Sequence, residues 1–169
     1  MKKLFGTDGV RSVAGQYPLD APTIRVLGQT LIGLLEEEGL ELRVLIGRDT
    51  RESGPWIEQA VAAGVEAGGG EVVSAGIIPT SAVSFLTRKH RFSAGIVISA
   101  SHNPYRDNGI KIFSSEGIKI SDEWEMRLEK PVLEAKGKTA PIGEGKPVHP
   151  RPELADEYQA FLIGQLRKA

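Results

Sequence analysis

The chain contains no cysteine. Disulfides, zinc–thiolate sites and thiol nucleophiles are therefore excluded. It has no apolar run that approaches the length of a membrane span. Its first residues, MKKLFGTDGVR, carry two lysines but no hydrophobic stretch, so they do not read as a signal peptide and the expected location is the cytoplasm. Neither sign of charge is in excess. The 21 Lys and Arg stand against 22 Asp and Glu, a formal net charge of −1, so neither nucleic acid nor a membrane surface is expected as a partner.

Several chemical signatures are missing too. There is no G-x-x-x-x-G-K-[ST] and no G-x-G-x-x-G after a strand. The three histidines, His90, His102 and His149, lack zinc-ligand spacing. Ser101 ends an apolar run, but SASHN is not a G-x-S-x-G elbow. His102 is its immediate neighbour, and adjacent side chains usually point apart, so a serine triad is not supported.

With 169 residues, 40% hydrophobic and 25% charged, the chain fits one soluble globular domain. Asp20 as N-cap, Pro22 in the first turn, and Ile24, Leu27, Leu31, Leu34 and Leu35 at helical spacing predict a helix that Gly39 stops. LRVLIG reads as a buried strand. A second helix follows, capped by Ser53, with Ile57, Ala60, Val61, Gly64 and Val65 on one face. GGGEVVSAG supplies a turn and a strand, PTSAVSFLTRKH a short helix, and AGIVIS another strand. GIKIFSSEGIKI has the pattern of a hairpin. Asp122 and Glu125 have capping-box spacing for a fourth helix, which Pro131 should end. From Ala135 to Pro152 the composition is that of a loop or linker. A last helix places Leu154, Tyr158, Phe161, Leu162 and Leu166 on one stripe.

Alternating strands and helices predict an α/β fold: a three-layer α/β/α domain with a mixed, largely parallel sheet. Ligands of such sheets bind beyond the carboxyl ends of the strands. GRDTR and SASHNP fall there, and GTDGVR joins them if Lys3 to Phe5 form an initial strand. Arg11, Arg48, Arg51, Arg106 and Lys111 lie in or beside these segments, where phosphate oxygens need charge-assisted partners. Gly6, Gly9 and Gly109 allow close backbone approach. A serine there can carry a phosphoryl group, whose charge a metal ion or basic groups must offset. Read one by one, the same residues have structural alternatives. Asn103-Pro104 makes an ordinary turn, Arg48 and Arg51 can pair with Asp49 and Glu52, and Lys111 can point outward.

FGTDGVR, GRDTR and SASHNPYRDNGIKIF, in that order, resemble the α-D-phosphohexomutase superfamily. Within it the chain is most similar to the bacterial phosphoglucosamine mutase branch, with Ser99 where many relatives have threonine. Ser12 departs from the usual glycine. The likeness runs from Lys3 to about Lys130.

The resemblance implies that Ser101 is a phosphoserine that exchanges its phosphoryl group with a hexosamine phosphate through a bisphosphate. Glucosamine 6-phosphate and glucosamine 1-phosphate would thereby interconvert. It places Arg11, Lys111 and His102 beside Ser101 as catalytic residues. Thr7, Gly9, Arg48, Arg51, Asn103 and Asn108 would support the substrate or its phosphate. Mg2+ would bind the phosphate on Ser101 and take most ligands from elsewhere, because the sequence has no Asp-Gly-Asp-Gly-Asp loop. Residues 1–135 would be the first domain, and 136–169 a linker and helix leading toward a second. The expected partners are the remaining mutase domains and, as relatives often dimerise, a second copy; the isolated domain would not catalyse. The alternatives are a phosphoglucomutase/phosphomannomutase domain and a non-catalytic binding module of the same fold.

Overall fold

The computed structural model describes residues 4–135 and 143–167. Five strands, β1 (Val10–Val13), β2 (Arg43–Arg48), β3 (Glu71–Ile77), β4 (Ala94–Ile98) and β5 (Asp107–Ser114), form one sheet in the order β1-β5-β4-β2-β3. β2 pairs in parallel with β3 and β4, whereas β5 runs antiparallel to both β4 and β1. Only β5 therefore opposes the common direction, which makes the sheet mixed and largely parallel, as expected.

Side-chain alternation decides how the faces are covered. Val44, Ile46, Ala94, Ile96, Ile98, Ile110 and Ile112 join the larger core, which they share with α1 (Ala21–Glu37), α2 (Gly54–Ala67) and α4 (Asp122–Ala135). Leu45, Val73, Ala75, Val97 and Phe113 face the other way, against α3 (Thr80–Lys89) and α5 (Pro152–Leu166). The result is three layers. Asp20 caps α1 by accepting from the Thr23 amide at 3.0 Å.

Four local expectations change. Leu4 and Phe5 are not a strand, and Lys3 lies outside the described residues; the first strand begins after the GTDG turn, at Val10. The Leu4 and Phe5 amides donate instead to the buried carboxylate of Glu129 on α4, at 2.7 and 3.1 Å. Ser53 occupies the N-cap position of α2 without capping it, because its hydroxyl accepts from Asn108 Nδ2 at 2.8 Å. α4 begins at Asp122 but is capped by the residue before it, Ser121, whose Oγ accepts from the Trp124 amide at 3.2 Å. Glu125 does not complete a capping box, being buried with Lys119 Nζ at 2.7 Å. Pro131 does not end α4 but sits inside it.

The GIKIFSSEGIKI hairpin exists, but its second arm is a single bridge, Phe113 to Lys119. The main partner of β5 is β4. On α5, Leu154 and Tyr158 fold back into the core and Phe161 stacks on Phe85 at 4.2 Å. Leu162 and Leu166 are exposed. Glu157 ties the helix to the end of α3 through Lys89 Nζ at 2.7 Å and His90 Nε2 at 2.9 Å. Among the described residues no helix is long and apolar enough to cross a membrane.

Candidate active site

The site lies where β4 stops and its neighbours continue. Ile98, the last residue of β4, pairs with Ile110, and so does Val10, the first residue of β1. The β1–β5 ladder, from Val10↔Ile110 to Val13↔Asp107, therefore overhangs the ends of the parallel strands. The chain between β4 and β5, residues 99–106, turns in the shelf this creates.

Ser101 is exposed on that turn with φ of 54°, a left-handed conformation uncommon for serine. Local bonds shape the turn: the Asn103 amide donates to Ala100 O and the Asp107 amide to Pro104 O, both at 3.0 Å. Asn103 Nδ2 also donates to Asp107 Oδ2 at 3.0 Å.

A larger constraint comes from Arg51, which follows β2. Nη1 donates to Pro104 O at 2.7 Å and Asp107 O at 2.9 Å. Nη2 donates to Ser101 O at 3.0 Å and Asn103 O at 2.9 Å. Nε donates to Asp49 Oδ2 at 3.2 Å. All five guanidinium N–H donors are thus committed within the domain. Arg51 holds the backbone of the turn. Arg48 reaches Glu58 rather than Glu52, with Nε to Oε2 at 2.9 Å, and Glu58 also accepts from Ser74 Oγ.

Two cations stand on either side of the inner end of the shelf. Arg11 on β1 pairs with Gly109 on β5, and Lys111 lies two residues further along β5, so both stand on one face. Arg11 Nη1 donates to Asn103 Oδ1 at 3.2 Å, reaching the serine turn directly. Its Nε is buried and has no hydrogen-bond partner among the described residues. Asp8 lies between the cations, 3.5 Å from Arg11 Nη2 and 3.7 Å from Lys111 Nζ.

Two glycines make this geometry possible. A Cβ on Gly109 would stand 2.8 Å from Ser99 O and 3.0 Å from Arg11 Cγ, so only glycine lets the arginine stem cross β5. Gly9, with φ of 84°, presses against Ile110 O and has no room for a side chain. Asn108 is fully buried, its Oδ1 accepting from the Gly109 amide.

Thr7 is exposed and lines a cleft with Leu4, Phe5, Gly6, Asp8, Gly9 and Arg11. His102 is exposed on the turn. Asp49, Ser99 and Asp8 entered the sequence reading without a site role, yet all three touch the cluster. Asp49 was legible as the acidic member of GRDTR; the other two are visible only once the strands are paired. No group of three or more His, Asp or Glu among the described residues is placed to hold a metal ion. A phosphate on Ser101 would be a single ligand.

Residues 2–138 match the family described as phosphoglucomutase/phosphomannomutase, alpha/beta/alpha domain I. A phosphoglucosamine mutase of Koribacter versatilis is 47% identical over 170 residues, covering 98% of this chain and 37% of that protein. One of Chlamydia pneumoniae is 52% identical over 136 residues, covering 80% and 30%. Among solved structures, a phosphoglucomutase/phosphomannomutase family protein from Burkholderia thailandensis superposes with a TM-score of 0.77 at 28% identity, over 95% of this chain and 35% of that one. The chain thus spans about a third of the length of the relatives it matches. It belongs to the phosphoglucomutase/phosphomannomutase family and carries that family's α/β/α domain I.

Proposed function

We propose that this chain is the phosphoryl-carrying domain of a phosphohexomutase that interconverts glucosamine 6-phosphate and glucosamine 1-phosphate. The observation that carries the reading is Ser101: exposed, left-handed, and on a turn held by Arg51 and touched by Arg11. The similar phosphoglucosamine mutases favour a hexosamine substrate.

In this reading the Oγ–P bond of phosphorylated Ser101 breaks as a sugar hydroxyl oxygen bonds to phosphorus. The hydroxyl proton goes to a basic group of the site. The bisphosphate then returns its other phosphoryl group to Oγ, and the bonds exchange in reverse. Arg11 and Lys111 offset the charge on the moving group. Of the two, only lysine can give up its proton, so Lys111 is the one suited to proton transfer. His102 lies beside the nucleophile, and Thr7 and Gly9 form the wall of the adjoining cleft. Asn103, Asn108, Arg48 and Arg51 hold the frame. Mg2+ on the phosphoserine would neutralise charge and take its remaining ligands from a longer polypeptide. Residues 136–169 would lead toward those further domains.

Intact-mass analysis of the full-length enzyme tests the carrier. The wild type should hold phosphate that Ser101→Ala lacks; equal phosphate in both would sink the proposal. The 169-residue chain alone should not turn over glucosamine 6-phosphate, and turnover would refute its role as part of a divided site. Faster full-length turnover of glucose or mannose phosphates would move the reading to the phosphoglucomutase/phosphomannomutase side. Unphosphorylated, inactive full-length protein would favour a binding module.

A further inference from the structure

Ser101 is gripped at both ends of its backbone, and both grips begin at one carboxylate. Its amide donates to Ser99 Oγ at 3.1 Å, and that hydroxyl donates to Asp49 Oδ2 at 2.7 Å. Its carbonyl oxygen accepts from Arg51 Nη2 at 3.0 Å, while Arg51 Nε donates to the same Asp49 Oδ2 at 3.2 Å. Asp49 is fixed in turn from the sheet, its own amide donating to Ile98 O at 3.0 Å and its Oδ1 accepting from the Arg51 amide at 3.0 Å.

A left-handed serine persists only where its surroundings over-determine it. Here the surroundings are two hydrogen-bonded arms of unlike chemistry. The guanidinium arm has no donor left over. The hydroxyl arm depends on polarity: the Asp49 carboxylate accepts the Ser99 O–H, which turns the oxygen lone pairs toward the Ser101 amide.

We infer that Asp49 and Ser99 are positioning residues that hold the Ser101 nucleophile through its amide, so position 99 requires a hydroxyl. The inference rests on the reading of Ser101 as the phosphoryl carrier, but its geometric half stands apart from that reading. Serine and threonine both supply the donor-acceptor oxygen, and alanine supplies neither. Asp49 then accepts on both oxygens, Oδ2 from Ser99 Oγ and Arg51 Nε and Oδ1 from the Arg51 amide, which no amide side chain reproduces, because an asparagine would turn its NH2 toward one of these donors.

Two measurements separate the halves. Amide hydrogen exchange on the 15N-labelled 169-residue chain reads the geometry. The Ser101 amide should exchange about tenfold faster in Ser99→Ala than in the wild type, with Ser99→Thr restoring protection. Phosphoryl uptake from glucose 1,6-bisphosphate by dephosphorylated full-length enzyme reads the consequence. In that reaction the probe's O–P bond breaks, Ser101 Oγ–P forms, and the serine proton passes to the released sugar oxygen. Ser99→Ala and Asp49→Asn should lower the maximal uptake rate at least about tenfold with little change in half-saturating probe, and Ser99→Thr should stay within about threefold.

Equal exchange in Ser99→Ala and wild type overturns the inference, as does wild-type uptake by Ser99→Ala. Should Ser99→Ala fail to fold, Asp49→Asn and Ser99→Thr decide alone: a wild-type rate in the first, or a tenfold loss in the second, overturns it. Wild-type enzyme that takes up no phosphate refutes the carrier reading, and amide exchange then judges the positioning by itself.

Discussion

Arg51 donates from Nη2 to the carbonyl oxygen of Ser101 across 3.0 Å, although fifty residues separate them. The bond joins the loop after β2 to the turn after β4, two strands that are neighbours in the sheet. Five fixed donors in a plane match this cluster of carbonyls; a lysine has one flexible ammonium. Arg51→Lys should therefore destabilise the chain by about 2 kcal/mol, read from the urea midpoint. It should also slow the full-length enzyme by about tenfold or more. A stable and fully active lysine variant would show that the turn holds itself.

Gly109 and Gly33 make opposite predictions. A methyl on Gly109 would strike the backbone carbonyl of Ser99 and crowd the Val10 carbonyl and the Arg11 stem. Gly109→Ala should cost about 1–3 kcal/mol. Gly33, inside α1, has nothing within 4 Å of its would-be Cβ. Gly33→Ala should stabilise the chain by about 0.5–1 kcal/mol, because alanine loses less entropy in a helix. Thermal unfolding of the two variants checks both signs.

Glu129 accepts from two backbone amides at the entry to the FGTDG segment and is buried while doing so. A glutamine keeps one acceptor oxygen but brings a competing donor. Glu129→Gln should cost about 1–3 kcal/mol and speed hydrogen exchange at Leu4 and Phe5. Unchanged exchange at both amides would contradict the role.

Burial pushes the Glu157 carboxyl up, but hydrogen bonds from Lys89 and His90 outweigh it and leave the group below its ordinary range. A carboxyl lowered in the folded state adds stability above its unfolded pKa, and that stability is lost as pH falls through the folded value. Acidification should thus loosen α5 from α3. Hydrogen exchange around Tyr158 should rise in the wild type as pH falls below the ordinary glutamate pKa, and less steeply in Glu157→Gln. Identical acid profiles would remove Glu157 as the tether.

Elements with strong local chemistry were legible in the residues. α1 shows this: Asp20 caps it, Pro22 opens it and its leucines recur at helical spacing, so nothing distant is needed. Where a competing partner lay far along the chain, local signals misled. Ser53 has the chemistry of a cap but is taken by Asn108, and Glu125 has capping-box spacing but is taken by Lys119. Pro131 reads as a helix end, yet α4 runs on to Ala135, where Leu128 and Val132 pack into the core.

By itself the sequence determined that a serine in SASHNP surfaces after a buried strand, with GTDGVR, GRDTR and a lysine available to it. Those are matters of composition and period, which local physics settles. Only the tertiary structure decided how they meet. The register of β1 on β5 sets Arg11 and Lys111 on one face, and the pairing of β2 with β4 brings Asp49 and Arg51 under the turn. Register and crossover depend on contacts between distant residues, and a pattern read along one strand carries no record of which strand lies beside it.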